Sequence, residues 1–374
     1  MKRQYLSYLA EFLEKKLVLV TGPRQSGKTT LAKTLRPNIE YLNFDLEEHR
    51  QILLEKSWDR RKDLLIFDEI HKMRQWKSWL KGIYDVEGLK PPIIVTGSAK
   101  LDTYRKVGDS LAGRYFQYRL HPLDVRELHR IGDSLTPEQI LDRIMSVGGF
   151  PEPFLEGNQR FYNLWKKTHL DIILKQDLIV LENISEIKSI ELLLDLLKAR
   201  VGSPISYSSL AGNLNHSDKT IKRWLIMLEN IYLIFKLTPY HKNITRSNLK
   251  QPKYYFYDCG RVLGDDGVKL ENAVACSLLK ECQFRNDCLG EDWELKYLSK
   301  RGGREIDFVI LKDQKPEIMI EVKLSEDTPS RNFSLFSTEL PNVKQIQLVK
   351  NLKREKTYPS GVEIRNAATW LTKW

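Results

Sequence analysis

The chain has 374 residues, of which 41% are hydrophobic and 29% are charged, with 20 glycines and 15 prolines. At roughly 150 residues per domain, this length predicts two or three globular domains and excludes a peptide or a disulfide-stapled mini-protein. Lys and Arg number 60 against 49 Asp and Glu. The resulting net charge of +11 fits a polyanionic partner such as nucleic acid without establishing one.

Cysteine spacing and hydropathy bear on the cellular compartment. The four cysteines show no C-x-x-C spacing, so neither a zinc site nor a redox pair is expected. The first residues, MKRQYLSYLAEFLEKK, lack the apolar stretch of a signal peptide. No run approaches the roughly 18 apolar residues that span a bilayer. We therefore expect a cytoplasmic protein with no membrane partner.

A phosphate-binding turn is predicted between a strand and a helix. Leu17 to Thr21 is a continuous apolar run typical of a buried parallel strand, and the GPRQSGKTT that follows matches G-x-x-x-x-G-K-[ST]. In this motif backbone N–H groups surround the β-phosphate, Lys28 neutralises phosphate oxygens and Thr29 is a ligand for Mg²⁺. The alternative is an accidental Gly-Lys turn, which would not require the flanking strand and helix. The residues expected to bind ATP are Gly22, Pro23, Arg24, Gln25, Ser26, Gly27, Lys28, Thr29 and Thr30.

Three further segments are predicted to contribute to ATP hydrolysis. The apolar run LLIF ends in two carboxylates, of which Asp68 is expected to hold Mg²⁺ through water and Glu69 to orient the attacking water. Ser98 follows another buried strand and is interpreted as a sensor of the γ-phosphate or the water. Arg114 precedes a later strand and is a candidate to contact the γ-phosphate of a neighbouring subunit. The alternatives are a solvated acidic strand end, a turn serine and a locally paired surface arginine.

The run from Val18 to Leu128 resembles the AAA+ superfamily ATPases of prokaryotes that carry a second domain of unknown function. The segments that carry the resemblance are TGPRQSGKTTL, LLIFDE, VTGS, LAGR and LHPLDVREL, followed by GGFPE at 148–152. The resemblance implies a five-stranded AAA+ core within residues 1–155 and assembly as a homo-oligomeric ring such as a hexamer. It also implies that Arg114 is an arginine finger.

The middle of the chain is predicted to be a helical segment followed by a winged helix. Residues 156–200 carry apolar residues at three- and four-residue steps, which predicts a helical lid or bridge. Residues 201–258 contain a short helix, a turn, a second helix capped by Ser217 and an apolar strand, the order found in a winged helix. Residues 259–374 form the last predicted domain.

Three basic residues near the start of that second helix are candidates for nucleic-acid binding. Lys219, Lys222 and Arg223 lie where a recognition helix contacts the phosphate backbone or the bases, and DNA is favoured over RNA. A solvated face on a protein-docking domain explains the same residues equally well.

The last domain contains a predicted hairpin that bears two carboxylates. A hairpin centred on Gln314 places Phe308 opposite Ile320 on a wholly apolar face. The same register places Asp307 opposite Glu321 on the other face. Like charges that face each other in a sheet repel, which points to a divalent cation between them.

Asp307 followed by Glu321-x-Lys323, with a glutamate on an upstream helix, resembles the PD-(D/E)XK nuclease superfamily. The resemblance implies a restriction-endonuclease-like fold in which Asp307 and Glu321 bind Mg²⁺ or Mn²⁺. It also implies that Lys323 positions the nucleophile and that Glu271 is the helix-borne acid. Two alternatives are an ordinary hairpin with a Glu305–Lys323 pair and a nuclease-like fold used only for binding.

Together these features predict an α/β protein with an AAA+ P-loop core and parallel sheet, a winged-helix segment and a restriction-endonuclease-like α/β domain. The expected function is Mg²⁺-dependent ATP hydrolysis coupled to DNA binding and DNA cleavage in repair, recombination or defence. One alternative is a non-cleaving ATP-driven switch that binds DNA or protein. Another is a toxin–antitoxin or stress-regulatory ATPase bound chiefly to protein.

Overall fold

The computed structural model describes residues 3–98, 111–132, 134–174, 186–241, 251–300 and 303–374. The chain divides into two compact units. The first comprises Met1–His121, Ile172–Asn183 and Asn230–Tyr232, and the second comprises Pro122–Asp171, Ile184–Glu229 and Leu233–Trp374.

The predicted domain limits at residues 155, 200 and 258 do not coincide with this division. The difference arises because the segment after His121 belongs to the second unit. There the buried ammonium of Lys280 donates to the Pro122 carbonyl oxygen at 3.1 Å and to the Glu127 carboxylate at 2.7 Å.

The first unit is built on a parallel sheet. Its strands are β1 (Leu17–Thr21), β2 (Ile39–Asn43), β3 (Leu64–Asp68), β4 (Ile93–Gly97) and β5 (Tyr115–Arg119). Its helices include α1 (Leu6–Phe12), α2 (Lys28–Lys33), α3 (Glu47–Glu55) and α4 (Trp76–Glu87). The strand order is β2-β3-β4-β1-β5, with every pair parallel. The predicted five-stranded α/β core is confirmed.

The sequence pattern of the three central strands explains their place in the sheet. Every residue of β1, β3 and β4 is buried. Parallel strands are covered on both faces, so a continuous apolar run is what such a strand requires. On one face the ring of Phe67 packs against Trp58 and Trp79, with ring centroids 5.2 and 5.7 Å apart. Burial of each such side chain contributes about 1.5–3 kcal/mol.

The segments of the chain after residue 121 contain most of the helices and a second sheet. The helices are α5 (Val125–Ile131), α6 (Pro137–Val147), α7 (Pro151–Glu156), α8 (Gln159–Ile172), α9 (Ile187–Lys198), α10 (Tyr207–Leu214), α11 (Asp218–Asn230), α12 (Asp266–Phe284), α13 (Arg331–Ser337) and α14 (Ala367–Lys373). The strands are β6 (Ile234–Leu237), β7 (Lys253–Phe256), β8 (Trp293–Lys300), β9 (Arg304–Lys312), β10 (Lys315–Lys323), β11 (Lys344–Val349), β12 (Lys356–Thr357) and β13 (Val362–Asn366). β6 pairs with β7, and the other six strands form a mixed sheet in the order β12-β13-β11-β10-β9-β8. Within the described ranges, the chain contains no helix long and apolar enough to cross a membrane.

The helices and strand predicted in residues 201–258 are present as α10, α11 and β6. The Ser217 hydroxyl accepts a hydrogen bond from the Thr220 N–H at 3.1 Å, as expected for the predicted cap. The assignment of this region as a winged helix stays a prediction. In the predicted helical segment 156–200, α8 and α9 are present, whereas residues 175–185 lie outside the described residues.

Helix α12, which carries the predicted helix-borne glutamate, begins at Asp266. The reason is a side-chain cap, because the Asp265 carboxylate accepts a hydrogen bond from the Val268 N–H at 3.0 Å. The helix is therefore long enough to carry Glu271 within its second turn.

β9 and β10 form the predicted hairpin, with Phe308 opposite Ile320. The predicted centre at Gln314 is wrong at the tip, where Lys312 pairs with Lys315. There Asp313–Gln314 form a two-residue turn with left-handed φ angles of 49° and 63°. A register shift at the start of β10 then restores the predicted pairing.

Candidate functional site

The predicted phosphate-binding turn connects β1 to α2. Gly22 has a φ of 148°, and a Cβ atom at this position would lie 2.2 Å from the Leu120 carbonyl oxygen, so only glycine fits. Gln25 and Gly27 are left-handed, with φ angles of 60° and 94°, and they bend the loop tightly. A tightly bent, glycine-rich turn of this kind forms the anion-binding concavity of P-loops.

Lys28 lies over this loop. The residue is buried, and its Nζ donates to the carbonyl oxygens of Gly22 and Pro23 at 3.1 and 2.7 Å. These acceptors keep the ammonium at the loop and out of bulk solvent. The structure thus places the predicted lysine against the predicted glycine-rich turn.

Asp68, at the end of β3, accepts hydrogen bonds from three hydroxyl groups. The donors are Thr29 at 3.0 Å, Tyr41 at 2.7 Å and Thr96 at 2.5 Å. Burial and the neighbouring Asp68 charge raise the pKa of the Tyr41 hydroxyl well above its ordinary value, so Tyr41 stays a donor. Thr29 and Asp68 are the two residues predicted to face Mg²⁺, and their hydroxyl and carboxylate oxygens are the donor type that Mg²⁺ prefers.

Tyr41 and Thr96 are partners that the sequence analysis missed. A signal for them exists, because both lie near the carboxyl ends of β2 and β4, the strands that flank β3. In a parallel sheet polar side chains at these ends meet at one edge.

Glu69 follows Asp68 with a left-handed φ of 56°. Its Oε2 accepts a hydrogen bond from the Ser98 hydroxyl at 3.4 Å, so the two predicted residues lie together. The pKa of Glu69 is raised to about 7, because burial and the Asp68 charge outweigh the lowering effect of the positive charge of Lys28. A carboxyl group with this pKa can accept a proton near neutral pH.

His71 is a further neighbour of Glu69 that the sequence analysis missed. Its Nε2 lies 3.5 Å from Glu69 Oε2, and its side chain is only 4% exposed. Neither ring nitrogen has a hydrogen-bond partner among the described residues. Burial, together with the nearby positive charges of Lys72 and Arg24, lowers the pKa of His71 to about 4, so the ring is neutral at pH 7.

Arg114 lies at the opposite end of the sheet from the loop. Its carbonyl oxygen accepts a hydrogen bond from the N–H of Leu17, the first residue of β1, whereas the phosphate-binding turn follows the last residue. A five-residue strand spans about 16 Å. The Arg114 guanidinium pairs with Asp85 through contacts of 2.7 and 3.2 Å, which raises the pKa of Arg114 and lowers that of Asp85. Within its own chain Arg114 is therefore locally paired, and its role toward a neighbouring subunit stays a prediction.

Asp307 and Glu321 meet across the hairpin, as the predicted register requires. Asp307 Oδ2 accepts from the Val322 N–H at 2.8 Å. Glu321 is buried, and its Oε1 accepts from the Ser330 hydroxyl at 3.0 Å and the Asn332 amide at 2.9 Å. Burial raises the pKa of Glu321, and the charge and hydrogen bond of Asp307 raise it further. Burial and the neighbouring Asp307 charge therefore favour the protonated form of Glu321 when no cation lies nearby.

The structure brings Lys323 and Glu271 toward this pair. Lys323 Nζ lies 3.9 Å from Glu321 Oε2. Glu271, on α12, accepts a hydrogen bond from the Tyr255 hydroxyl at 2.7 Å. Burial raises the pKa of Glu271, and the Asp307 charge raises it further. The four residues predicted from the nuclease resemblance thus interact electrostatically, while their roles stay predictions.

Lys253 is a charged residue of this cluster that the sequence analysis missed. Its side chain is 1% exposed, and its Nζ lies 3.3 Å from Glu305 and 4.0 Å from Glu271. Glu305 thus has the ammonium of Lys253 as a partner, and the alternative Glu305–Lys323 pair stays a prediction. A lysine within the otherwise aromatic run of β7 was the available signal.

No group of three or more His, Cys, Asp or Glu side chains in the described part of the chain is arranged to hold a metal ion. The predicted metal ligands of the second unit are accordingly the pair Asp307 and Glu321. Glu271 is engaged by the Tyr255 hydroxyl and lies near the Lys253 ammonium.

The three basic residues of α11 are all exposed. The Lys222 ammonium lies 5.0 Å from the centre of the Tyr207 ring, and the Arg223 guanidinium lies 3.8 Å from the Glu186 carboxylate. Lys219 is exposed on the same helix. Their exposure agrees with both the nucleic-acid interpretation and the solvated-face interpretation.

Three family models match successive regions of the chain. Residues 14–129 match a family described as AAA domain. Residues 138–263 and 266–367 match two families that are each described as a domain of unknown function, DUF8612 and DUF4143. The first match covers the P-loop, Asp68 and Glu69, and the last covers the acidic hairpin.

Two similar chains are described as uncharacterized proteins. One from Mycobacterium tuberculosis is 28% identical over 286 residues, which cover 74% of this chain and 60% of the relative. The chain thus spans about three-fifths of that mycobacterial protein. One from Haemophilus influenzae is 24% identical over 415 residues, which cover 99% of this chain and 98% of the relative.

Among solved structures, RuvB of Thermotoga maritima aligns with a TM-score of 0.32 and 18% identity, over 63% of this chain and 88% of RuvB. A likeness this low carries no argument about function. The five-stranded parallel sheet and the family match at 14–129 stand without it. Residues 14–129 therefore match an AAA domain and contain the strands of a five-stranded parallel sheet, and the two regions that follow match domains of unknown function.

Proposed function

We propose that the chain is a Mg²⁺-dependent ATPase whose site consists of the turn at residues 22–30, Asp68 and Glu69. The observation that carries this proposal is the 3.0 Å contact between the Thr29 hydroxyl and the Asp68 carboxylate, beside the loop over which Lys28 lies. This contact places the two oxygen atoms that suit Mg²⁺ next to the loop residues that suit a phosphate group.

Each residue of the proposed site has a distinct role in hydrolysis. Lys28 exchanges two carbonyl acceptors for phosphate oxygens, and its hydrogen bonds become stronger because the acceptors are charged. Thr29 and Asp68 would hold Mg²⁺, which neutralises phosphate charge when bound. Glu69, in its ionised form, accepts a hydrogen bond from water and orients it toward the γ-phosphate.

The test is phosphate release from ATP by the full chain with and without Mg²⁺, for wild type, Lys28→Ala and Lys62→Ala. Removal of Lys28 is expected to lower hydrolysis by roughly 10²–10³-fold, as for loss of other groups that stabilise transition-state charge. Lys62, whose Nζ contacts the exposed side chain of Asn38, serves as the matched control and should leave the rate unchanged. Wild-type hydrolysis by Lys28→Ala would refute the proposal.

A second proposed activity is metal-dependent DNA cleavage in the second unit, driven by ATP hydrolysis in the first. The observation that favours it is the meeting of Asp307 and Glu321 with the Lys323 ammonium 3.9 Å from Glu321. Asp307 and Glu321 would hold Mg²⁺ or Mn²⁺, which activates water when bound. Lys323 supplies a positive charge beside the site where a scissile phosphate and its nucleophile would lie.

Cleavage is tested on labelled linear, single-stranded and four-way-branched DNA with Mg²⁺ or Mn²⁺, with and without ATP. We expect Asp307→Ala to abolish cutting and to retain ATP hydrolysis. The exposed Asp292→Ala is the matched control and should cut normally. If wild type cuts no substrate while DNA still stimulates its ATPase activity, the non-cleaving ATP-driven switch is the better description.

DNA binding through α11 is proposed for the same unit. A variant that replaces Lys219, Lys222 and Arg223 by alanine is expected to bind DNA more weakly at low salt. Each phosphate contact removed should reduce the slope of log K against log[salt] by about 0.9. Fluorescence anisotropy across a salt series measures this slope, and an unchanged slope would favour the solvated-face interpretation.

A further inference from the structure

Arg3, which precedes α1, is a buried arginine in contact with the phosphate-binding turn. The residue is 6% exposed. Its Nη1 donates to the Ser26 carbonyl oxygen at 2.8 Å, and its Nη2 donates to the His121 carbonyl oxygen at 2.7 Å. The P-loop motif assigns no role to Arg3, since Arg3 lies well before Gly22 in the sequence.

The contact with Ser26 controls the direction of a backbone donor. The Ser26 carbonyl and the Gly27 N–H belong to one planar trans peptide unit and point to opposite sides of it. A hydrogen bond that fixes the carbonyl therefore also fixes the N–H. Because the guanidinium is charged, the bond is strong and polarises the peptide, which makes the Gly27 N–H a better donor.

The contact with His121 links the same guanidinium to the segment after β5, which supports the loop. The Leu120 N–H donates to the Thr21 carbonyl oxygen at 2.7 Å, and the Leu120 carbonyl oxygen occupies the space that a Cβ at Gly22 would need. The segment after β5 thus lies against the start of the loop. Arg3 joins this segment to Ser26, near the end of the loop.

The geometry suits arginine in particular. Its planar fork carries N–H donors on separate nitrogens in fixed directions, so Nη1 and Nη2 each bond one of two separate carbonyl oxygens, whereas the donors of lysine all lie on one nitrogen. The backbone beside Arg3 is anchored by Tyr5 and Leu9, which are 1% and 0% exposed. The guanidinium is therefore held in place by the fold itself.

We propose that Arg3 is a positioning residue for nucleotide binding, which orients the Ser26–Gly27 peptide so that the Gly27 N–H meets the β-phosphate of ATP or ADP. The inference rests on the proposed nucleotide binding at the turn. Arg3 contacts no phosphate itself and acts through the peptide. Nucleotides that carry a β-phosphate depend on Arg3, and AMP does not.

The test uses the full chain as wild type, Arg3→Met, Arg3→Lys and the control Arg36→Met. Arg36 belongs to the same unit, and its guanidinium contacts the neighbouring Leu35 carbonyl oxygen and the Glu14 carboxylate. Calorimetry measures the Kd of ADP and of AMP with Mg²⁺ present. We expect Arg3→Met to weaken ADP binding about tenfold, the size of one hydrogen bond to a charged group, and AMP binding less than about twofold. Arg3→Lys should be intermediate, and Arg36→Met should match wild type.

Steady-state kinetics give a second readout. We expect the KM for ATP to rise in Arg3→Met while kcat stays within about twofold, because the peptide contacts substrate and transition state alike. Equal ADP affinity in wild type and Arg3→Met would overturn the inference, and so would an equal loss for ADP and AMP, which marks a general structural role. If Arg3→Met does not fold, an unchanged ratio of ADP to AMP affinity in Arg3→Lys overturns it. A wild-type chain that binds neither ATP nor ADP refutes the proposed function instead.

Discussion

The two carboxylate pairs of the molecule are built in opposite ways. Asp68 and Glu69 are adjacent in the sequence and diverge, because three hydroxyl groups fix the first and a left-handed backbone turns the second aside. Asp307 and Glu321 are distant in the sequence and converge across a hairpin. In the first pair each carboxylate has separate partners, and in the second the two carboxylates are partners of each other.

The glutamates of the two pairs differ in the charges that surround them. The positive charge of Lys28 lowers the pKa of Glu69 and so offsets part of the increase that desolvation causes. The negative charge of Asp307 raises the pKa of Glu321 and so adds to the increase that burial causes. The first pair therefore suits the proposed division into one metal-facing group and one group that accepts a proton. In the second pair, a cation beside the carboxylates would favour the ionised form of Glu321.

The largest expected effect tests the division of roles in the first pair. Glu69→Gln keeps the shape of the side chain and removes its ability to accept a proton. We expect ATP hydrolysis to fall by roughly 10³-fold while ATP binding is retained. The measurement pairs phosphate release with calorimetric binding of ATP, and Glu55→Gln, an exposed glutamate on α3, is the control. Hydrolysis within a few-fold of wild type would remove Glu69 from the mechanism.

How far the sequence predicted this site depends on how local each contact is. The P-loop residues and Glu69 were predicted because their geometry is set by a contiguous strand, turn and helix. Tyr41 and Arg3 were missed because they reach the site from other segments of the chain, and nothing in the motif requires them.

The same distinction applies to the second unit. The opposition of Asp307 and Glu321 was predictable because side chains alternate with period two along both strands. The predicted pairing at the tip of the hairpin was wrong because the register there depends on the left-handed conformation of Asp313–Gln314. The alternation of side chains does not reveal this conformation. Lys253 was missed because it comes from β7, outside the hairpin.

A second prediction concerns His71, which is neutral beside Glu69. Its folded-state pKa of about 4 lies below the ordinary value of 6.5, so protons bind preferentially to the unfolded chain in this interval. The contribution of His71 to the free energy of unfolding is fully present above pH 6.5. It falls by about 3 kcal/mol as the pH is lowered toward 4. In His71→Gln this component is absent.

Denaturant unfolding of wild type and His71→Gln at pH 7 and pH 4 measures the effect as a difference between the two proteins, which cancels the other titrating groups. His129→Gln, at an exposed position on α5, is the control and should follow wild type. If the stability difference between wild type and His71→Gln is the same at both pH values, His71 does not remain neutral in the folded chain.

The smallest expected effect tests whether the second pair binds a cation at all. Without nucleotide, a near-saturating Mn²⁺ concentration is expected to raise the free energy of unfolding of the wild-type chain by about 2 kcal/mol. Asp307→Asn keeps an oxygen that can accept from the Val322 N–H and removes one of the two charges. This variant should be at least as stable as wild type without metal, since the repulsion is gone, and should gain nothing from Mn²⁺. Lys28→Ala, altered only at the nucleotide site, should respond as wild type does. Equal stabilisation of wild type and Asp307→Asn would mean that the opposed carboxylates hold no cation, and the acidic hairpin would then belong to a binding module.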